Sequence, residues 1–120
     1  MYDFNMITSP KILFYIYDKS IFNILSFVLK SRKIEAENYQ ENEKVLKYNY
    51  KTIILDNELS SEKKGIFLEA LKRENKQSNL LLAVSKNYSN AILDLDLNIV
   101  KGIIYKPFDI EELIKIATNE

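Results

Sequence analysis

Thr52-Ile53-Ile54-Leu55-Asp56 is a run of strongly apolar residues that stops abruptly at a carboxylate. A run this short and this rich in β-branched side chains predicts a buried strand whose carboxyl end brings one acidic group to the rim of a sheet. In open α/β folds that rim is where ligands bind and chemistry is done. Two more strand ends converge on it in this reading, Ile16-Tyr17-Asp18 upstream and Ala83-Val84-Ser85 downstream. A fourth apolar run closes in Lys106-Pro107-Phe108. One carboxylate at a strand end is a weak signal. Four such ends in this order form a strong one.

Outward from this stretch the pattern alternates strand and helix five times. Residues 12–17 are continuously apolar and predict a central strand. Residues 20–31 switch to helical spacing, with Ile21, Phe22, Ile24, Leu25, Val28 and Leu29 on one side. Phe27 widens that arc to roughly 220°, broader than one sheet contact needs. The arc is read as the face of a well-covered core helix, with a partner surface at the Phe27 edge as the alternative. Residues 33–38 alternate like a half-exposed edge strand, and 41–48 predict a short helix. The third strand is placed at 51–55. Ile66, Phe67, Ala70 and Leu71 form the stripe of the next helix. Strands are then expected at 80–84 and 103–105, with a short helix over 88–95 between them. Asp109 and Glu112 form a capping-box-like start to the last helix, in which Ile110, Leu113, Ile114 and Ala117 repeat at helical spacing. Such alternation requires right-handed crossovers and a parallel sheet with helices on both faces.

At 120 residues the chain fits one domain with an ordinary core. Its 17 basic and 17 acidic residues cancel, so no global field favours nucleic acid or an anionic membrane. There is no cysteine and no histidine, which excludes disulfides, thiol redox chemistry, Cys/His zinc sites and Ser-His or Cys-His catalysis. Carboxylates, hydroxyls, lysines and backbone amides are what remains. No apolar stretch approaches a membrane span. Residues 1–10, MYDFNMITSP, carry Asp3 and no basic group, unlike a secretory signal, so a cytoplasmic location is expected.

Taken together, these residues resemble the response-regulator receiver domain (CheY-like), the phosphoacceptor module of bacterial two-component signalling. The likeness spans about residues 11–118, leaving 1–10 as an N-terminal extension to a receiver domain at 11–120. It rests on order and spacing as well as residue type. The resemblance implies a flavodoxin-like (βα)5 three-layer sandwich whose five-stranded parallel sheet has the order 2-1-3-4-5. It also implies that Asp56 accepts a phosphoryl group from a histidine kinase or phosphotransfer protein. Ser85 would donate its hydroxyl to the phosphoryl group, and Lys106 would pair with one of its oxygens. Asp18, Asp56 and the backbone carbonyl of Glu58 would hold Mg2+. The Glu58 side chain is read as facing solvent; turned inward, it would repel phosphate and partly mimic it. A cis peptide at Lys106-Pro107 and a homodimer through residues 88–118 are further expectations. The domain is read as a switch rather than an enzyme.

Several positions depart from the family pattern. Tyr17 stands where a second acidic residue usually precedes Asp18, which weakens the expected hold on Mg2+. Ser60 replaces a proline, a glycine is displaced to Gly65, and Lys86 follows the hydroxyl residue in place of a small side chain. Ile103 stands where the family's switch aromatic usually lies, and Tyr105 is expected on the opposite face of its strand. These departures motivate an alternative, a degenerate receiver that acts as a protein-binding or dimerisation module without phosphorylation. A flavodoxin-like enzyme or nucleotide binder is the third reading. The only glycines, Gly65 and Gly102, make no phosphate loop to support it.

Overall fold

The computed structural model describes residues 11–41, 50–74, 79–85 and 99–118. Five parallel strands, β1 (Lys11–Tyr15), β2 (Glu35–Asn38), β3 (Thr52–Asp56), β4 (Asn79–Ser85) and β5 (Gly102–Lys106), form one sheet in the order β2-β1-β3-β4-β5. Three helices are described: α1 (Lys19–Ser31), α2 (Ser61–Glu74) and α3 (Ile110–Thr118). The short helices expected at 41–48 and 88–95 lie outside the described residues apart from Glu41, and so does the N-terminal extension at 1–10. The flavodoxin-like order expected from the resemblance is the one observed.

Each face of the sheet carries its own core. Leu13, Tyr15, Ile53, Leu55, Leu82 and Val84 pack with Phe67, Leu68, Ala70 and Leu71 of α2. Ile12, Phe14, Ile54, Ala83 and Ile104 pack with Leu25 and Leu29 of α1 and Leu113 and Ala117 of α3. β3 is buried along its whole length, which is why its sequence reads as an unbroken apolar run instead of an alternation.

The helix ends follow their local chemistry. Lys33 has φ 64°, and the N–H groups of Lys33 and Ile34 close on the carbonyls of Lys30 and Leu29 at 2.9 and 3.0 Å. This is a Schellman closure built without glycine, and it uses the residues with which β2 was expected to begin. β2 therefore starts at Glu35. Ser60 caps α2, its Oγ accepting from the N–H of Lys63 at 3.1 Å, so the residue in the family's proline position has a role here. Gly65 lies inside α2 with nothing within 4 Å of an added Cβ, an ordinary helical position. Asp109 caps α3 as expected, its Oδ1 accepting from Glu111 and Glu112 at 2.9 and 3.4 Å.

Two faces differ from their expected pattern. On α1 only Leu25 and Leu29 are fully buried, while Ile24 and Phe27 are 64% and 78% exposed, so the helix is not well covered. Its sequence is apolar over more of its circumference than the sheet can contact. On α2, Ile66 faces solvent and Leu68 is buried instead. Ile66 stands about a third of a turn from the middle of the arc formed by Phe67, Leu68, Ala70 and Leu71.

Thr52, fully buried at the start of β3, has an Oγ1 without a hydrogen-bond partner among the described residues. Thr52→Val keeps the shape and removes the orphaned hydroxyl. It is expected to raise the unfolding free energy by about 1 kcal/mol, read as a higher urea midpoint. An unchanged or lower midpoint contradicts this.

Candidate functional site

Strand register brings three expected residues to one edge. Asp56 is paired with Ala83, and Ser85 with Lys106. Alternation along each strand puts Asp56, Ser85 and Lys106 on the same face as Ile54, Ala83 and Ile104, toward α1 and α3. They meet at the carboxyl edge, beside the crevice between β1 and β3 where this strand order reverses.

Asp56 is 1% exposed and its carboxylate is held from three sides. Oδ1 accepts from Lys106 Nζ at 2.7 Å and from the Glu58 N–H at 3.0 Å. Oδ2 accepts from the Tyr17 N–H at 3.0 Å. A carboxylate this deep requires a cation and donors in good geometry, and here it has both. The Lys106-Pro107 peptide is cis.

Tyr17 explains where β1 stops. Its N–H goes to Asp56 instead of to a neighbouring strand, so the strand ends at Tyr15, Ile16 stays buried outside it, and the Tyr17 ring is exposed. A main-chain donor of this kind leaves no mark in a residue pattern.

Asp18 is the N-cap of α1, its Oδ1 accepting from the Ser20 N–H at 2.9 Å. Among the described residues no three acidic side chains gather as a metal cluster. The Glu58 side chain is not simply solvent-facing, since its Oε2 lies 3.5 Å from Lys106 Nζ. Two carboxylates, Asp56 and Glu58, thus stand beside one ammonium.

For a hard divalent cation these side chains offer acceptor capacity, without gathering as a metal cluster among the described residues. A carboxylate offers about four lone-pair positions, and the described bonds use three on Asp56 and one on Asp18. Capacity therefore remains on both, and Mg2+ is commonly held by one or two carboxylates with water and phosphate oxygens.

Tyr105 corrects another expectation. Ile103 packs on the α2-side core and Ile104 belongs to the opposite one. Two residues apart, Ile103 and Tyr105 share a face, so Tyr105 is not opposite Ile103, and its ring is 50% exposed at the sheet edge. Lys86 lies outside the described residues.

Beside the site is a cavity of about 420 Å3, lined in part by Ile16, Tyr17, Asn38, Tyr39, Leu59 and Lys63. At its wall the Tyr15 hydroxyl donates to Glu41 Oε2 at 2.8 Å, and Lys63 Nζ approaches the same oxygen at 3.1 Å. Burial first, then the bond to Glu41, raises the Tyr15 phenol above its ordinary range. The same hydrogen bond, with Lys63, lowers the Glu41 carboxyl.

No family model matches the sequence, and no curated protein does. Solved structures do. The receiver domain of the Francisella response regulator 1452 aligns with a TM-score of 0.68 at 20% identity, over 88% of this chain and 91% of that one. The Vibrio cholerae chemotaxis protein CheY4 aligns with a TM-score of 0.72 at 21% identity, over 89% and 94%. This chain has the receiver fold. Full-length FixJ from B. japonicum aligns with a TM-score of 0.73 at 13% identity, over 92% of this chain and 56% of that one. At these identities it is the fold that is shared. The receiver fold sets β3, β4 and β5 side by side, and this chain's own residues furnish their ends.

Proposed function

We propose that this chain is a two-component signalling receiver that takes a phosphoryl group on Asp56 from a phosphohistidine donor and changes its protein contacts in response. The observation that carries this is a nearly inaccessible Asp56 at a strand end, 2.7 Å from the Lys106 ammonium, with Ser85 beside that lysine in register. In the transfer, an Asp56 carboxylate oxygen bonds to phosphorus as the bond from phosphorus to the donor imidazole breaks. The imidazole keeps the electron pair and is then protonated, leaving an acyl phosphate.

Lys106 follows the charge, passing from the carboxylate to a phosphoryl oxygen. The N–H groups of Tyr17 and Glu58 keep the carboxylate oriented. Ser85 donates its hydroxyl to a second phosphoryl oxygen, and the added charge reorders the loop that follows β4. Asp18, Asp56 and the Glu58 carbonyl would hold Mg2+, which would supply charge screening between the nucleophile and the anionic donor.

In this reading the partners are a histidine kinase or phosphotransfer protein, and residues 11–120 act as a switch in the cytoplasm. No helix among the described residues is long and apolar enough to cross a membrane. A second copy would meet the chain through the 88–118 face, where Tyr105, Glu111 and Lys115 are exposed. The competing reading, a binding module that works without phosphorylation, is favoured by one observation: the Glu58 carboxylate already lies beside Lys106.

A beryllofluoride titration followed by NMR discriminates between them. With millimolar Mg2+, amide shifts are expected around Asp56, Ser85 and Lys106, and Asp56→Asn is expected to abolish them. A spectrum unmoved by beryllofluoride contradicts the phosphoacceptor reading.

A further inference from the structure

We infer that Glu58 is a resident anion of the phosphoryl site, competing with incoming phosphoryl oxygens for Lys106. The inference rests on the reading of Asp56 as the acceptor. Lys106 Nζ has three donor directions. One is spent on Asp56 Oδ1 at 2.7 Å, and Glu58 Oε2 stands 3.5 Å from the same nitrogen.

The main chain holds Glu58 in place. Its N–H is bonded to Asp56 Oδ1 at 3.0 Å, and the Leu59 N–H closes the turn on the Asp56 carbonyl at 3.2 Å. Only the Glu58 side chain is free to swing. It is 47% exposed, so leaving Lys106 for water strands no buried charge. The Asp56 side chain, 2% exposed, has no such option.

The consequence is a specificity and regulatory role. An anion entering the site meets a carboxylate as well as an ammonium, which weakens its binding. Once a group of more than one negative charge is attached to Asp56, repulsion drives Glu58 outward, and the turn after β3 shows a changed surface. Glu58 is thus a positioning and gating residue that forms no bond to phosphorus.

The test is the affinity for beryllofluoride at fixed, saturating Mg2+ in the unaltered chain, Glu58→Gln and Glu58→Ala. Removing one negative charge at this range should tighten binding about tenfold in both variants. The gain should shrink as KCl is raised, because the carboxylate is partly exposed. Urea midpoints of the variants should stay near that of the unaltered chain, which separates a charge effect from a change in the fold. If the unaltered chain binds and the variants bind equally or more weakly, the role of Glu58 is overturned while the acceptor reading stands. If none of the three binds, the acceptor reading falls and the role of Glu58 with it.

Discussion

Phe67→Ala is expected to lower the unfolding free energy by about 4 kcal/mol. Phe67 is 0% exposed and anchors α2 to the sheet. Its ring meets Tyr15 at 5.1 Å and Tyr39 at 5.0 Å between centroids, and those two rings meet each other at 4.8 Å. Tyr15 is also tied by its hydroxyl to Glu41, so it cannot collapse into the space left by a missing phenyl ring. The cavity would therefore persist, and persistence is what sets the upper part of the range. Chemical denaturation reads the effect directly. A loss under about 1 kcal/mol, the scale of an ordinary surface change, would show that the aromatic trio does not hold α2.

Lys106→Met is the second large effect, expected to cost about 3 kcal/mol. Methionine replaces much of the aliphatic stem, so the packing loss is small and the charge loss dominates. The Asp56 carboxylate would remain buried with only the N–H groups of Tyr17 and Glu58 to hold it. Adding Asp56→Asn removes the unpaired charge, and the double variant should recover most of the loss. Asp56→Asn alone should be mild, since Lys106 can turn to Glu58. Additivity of the two single changes in this cycle would contradict a direct coupling between Asp56 and Lys106.

What was legible in the sequence followed from burial on both faces of the sheet. Residues 52–56 read as a strand because neither face is wet, and Asp56 stood out as the charge that ends an otherwise apolar run. Asp109 announced α3 because capping is local chemistry. The misreadings came where a pattern admits more than one partner. The arc of α1 is wider than the sheet can cover, and sequence alone does not show which edge is left exposed at Ile24 and Phe27. Ile66 and Leu68 lie on either side of Phe67, Ala70 and Leu71 on α2, and only docking decides which of the two is buried. The placement of Tyr105 failed on the parity of its own strand.

At the site, side chains at strand ends were readable, since Asp56, Ser85 and Lys106 each close an apolar run. The Tyr17 N–H was not, because every residue but proline carries one. The direction of Glu58 was not readable either. A carboxylate in a turn ordinarily faces water, and only the approach of β5 gives it a cation to meet.

Intact-mass measurement after incubation with acetyl phosphate and Mg2+ puts the central claim to its most direct test. The account predicts one added phosphoryl group on the unaltered chain, labile to hydroxylamine as an acyl phosphate is, and none on Asp56→Asn. An unlabelled chain under these conditions, or labelling that survives Asp56→Asn, would contradict it.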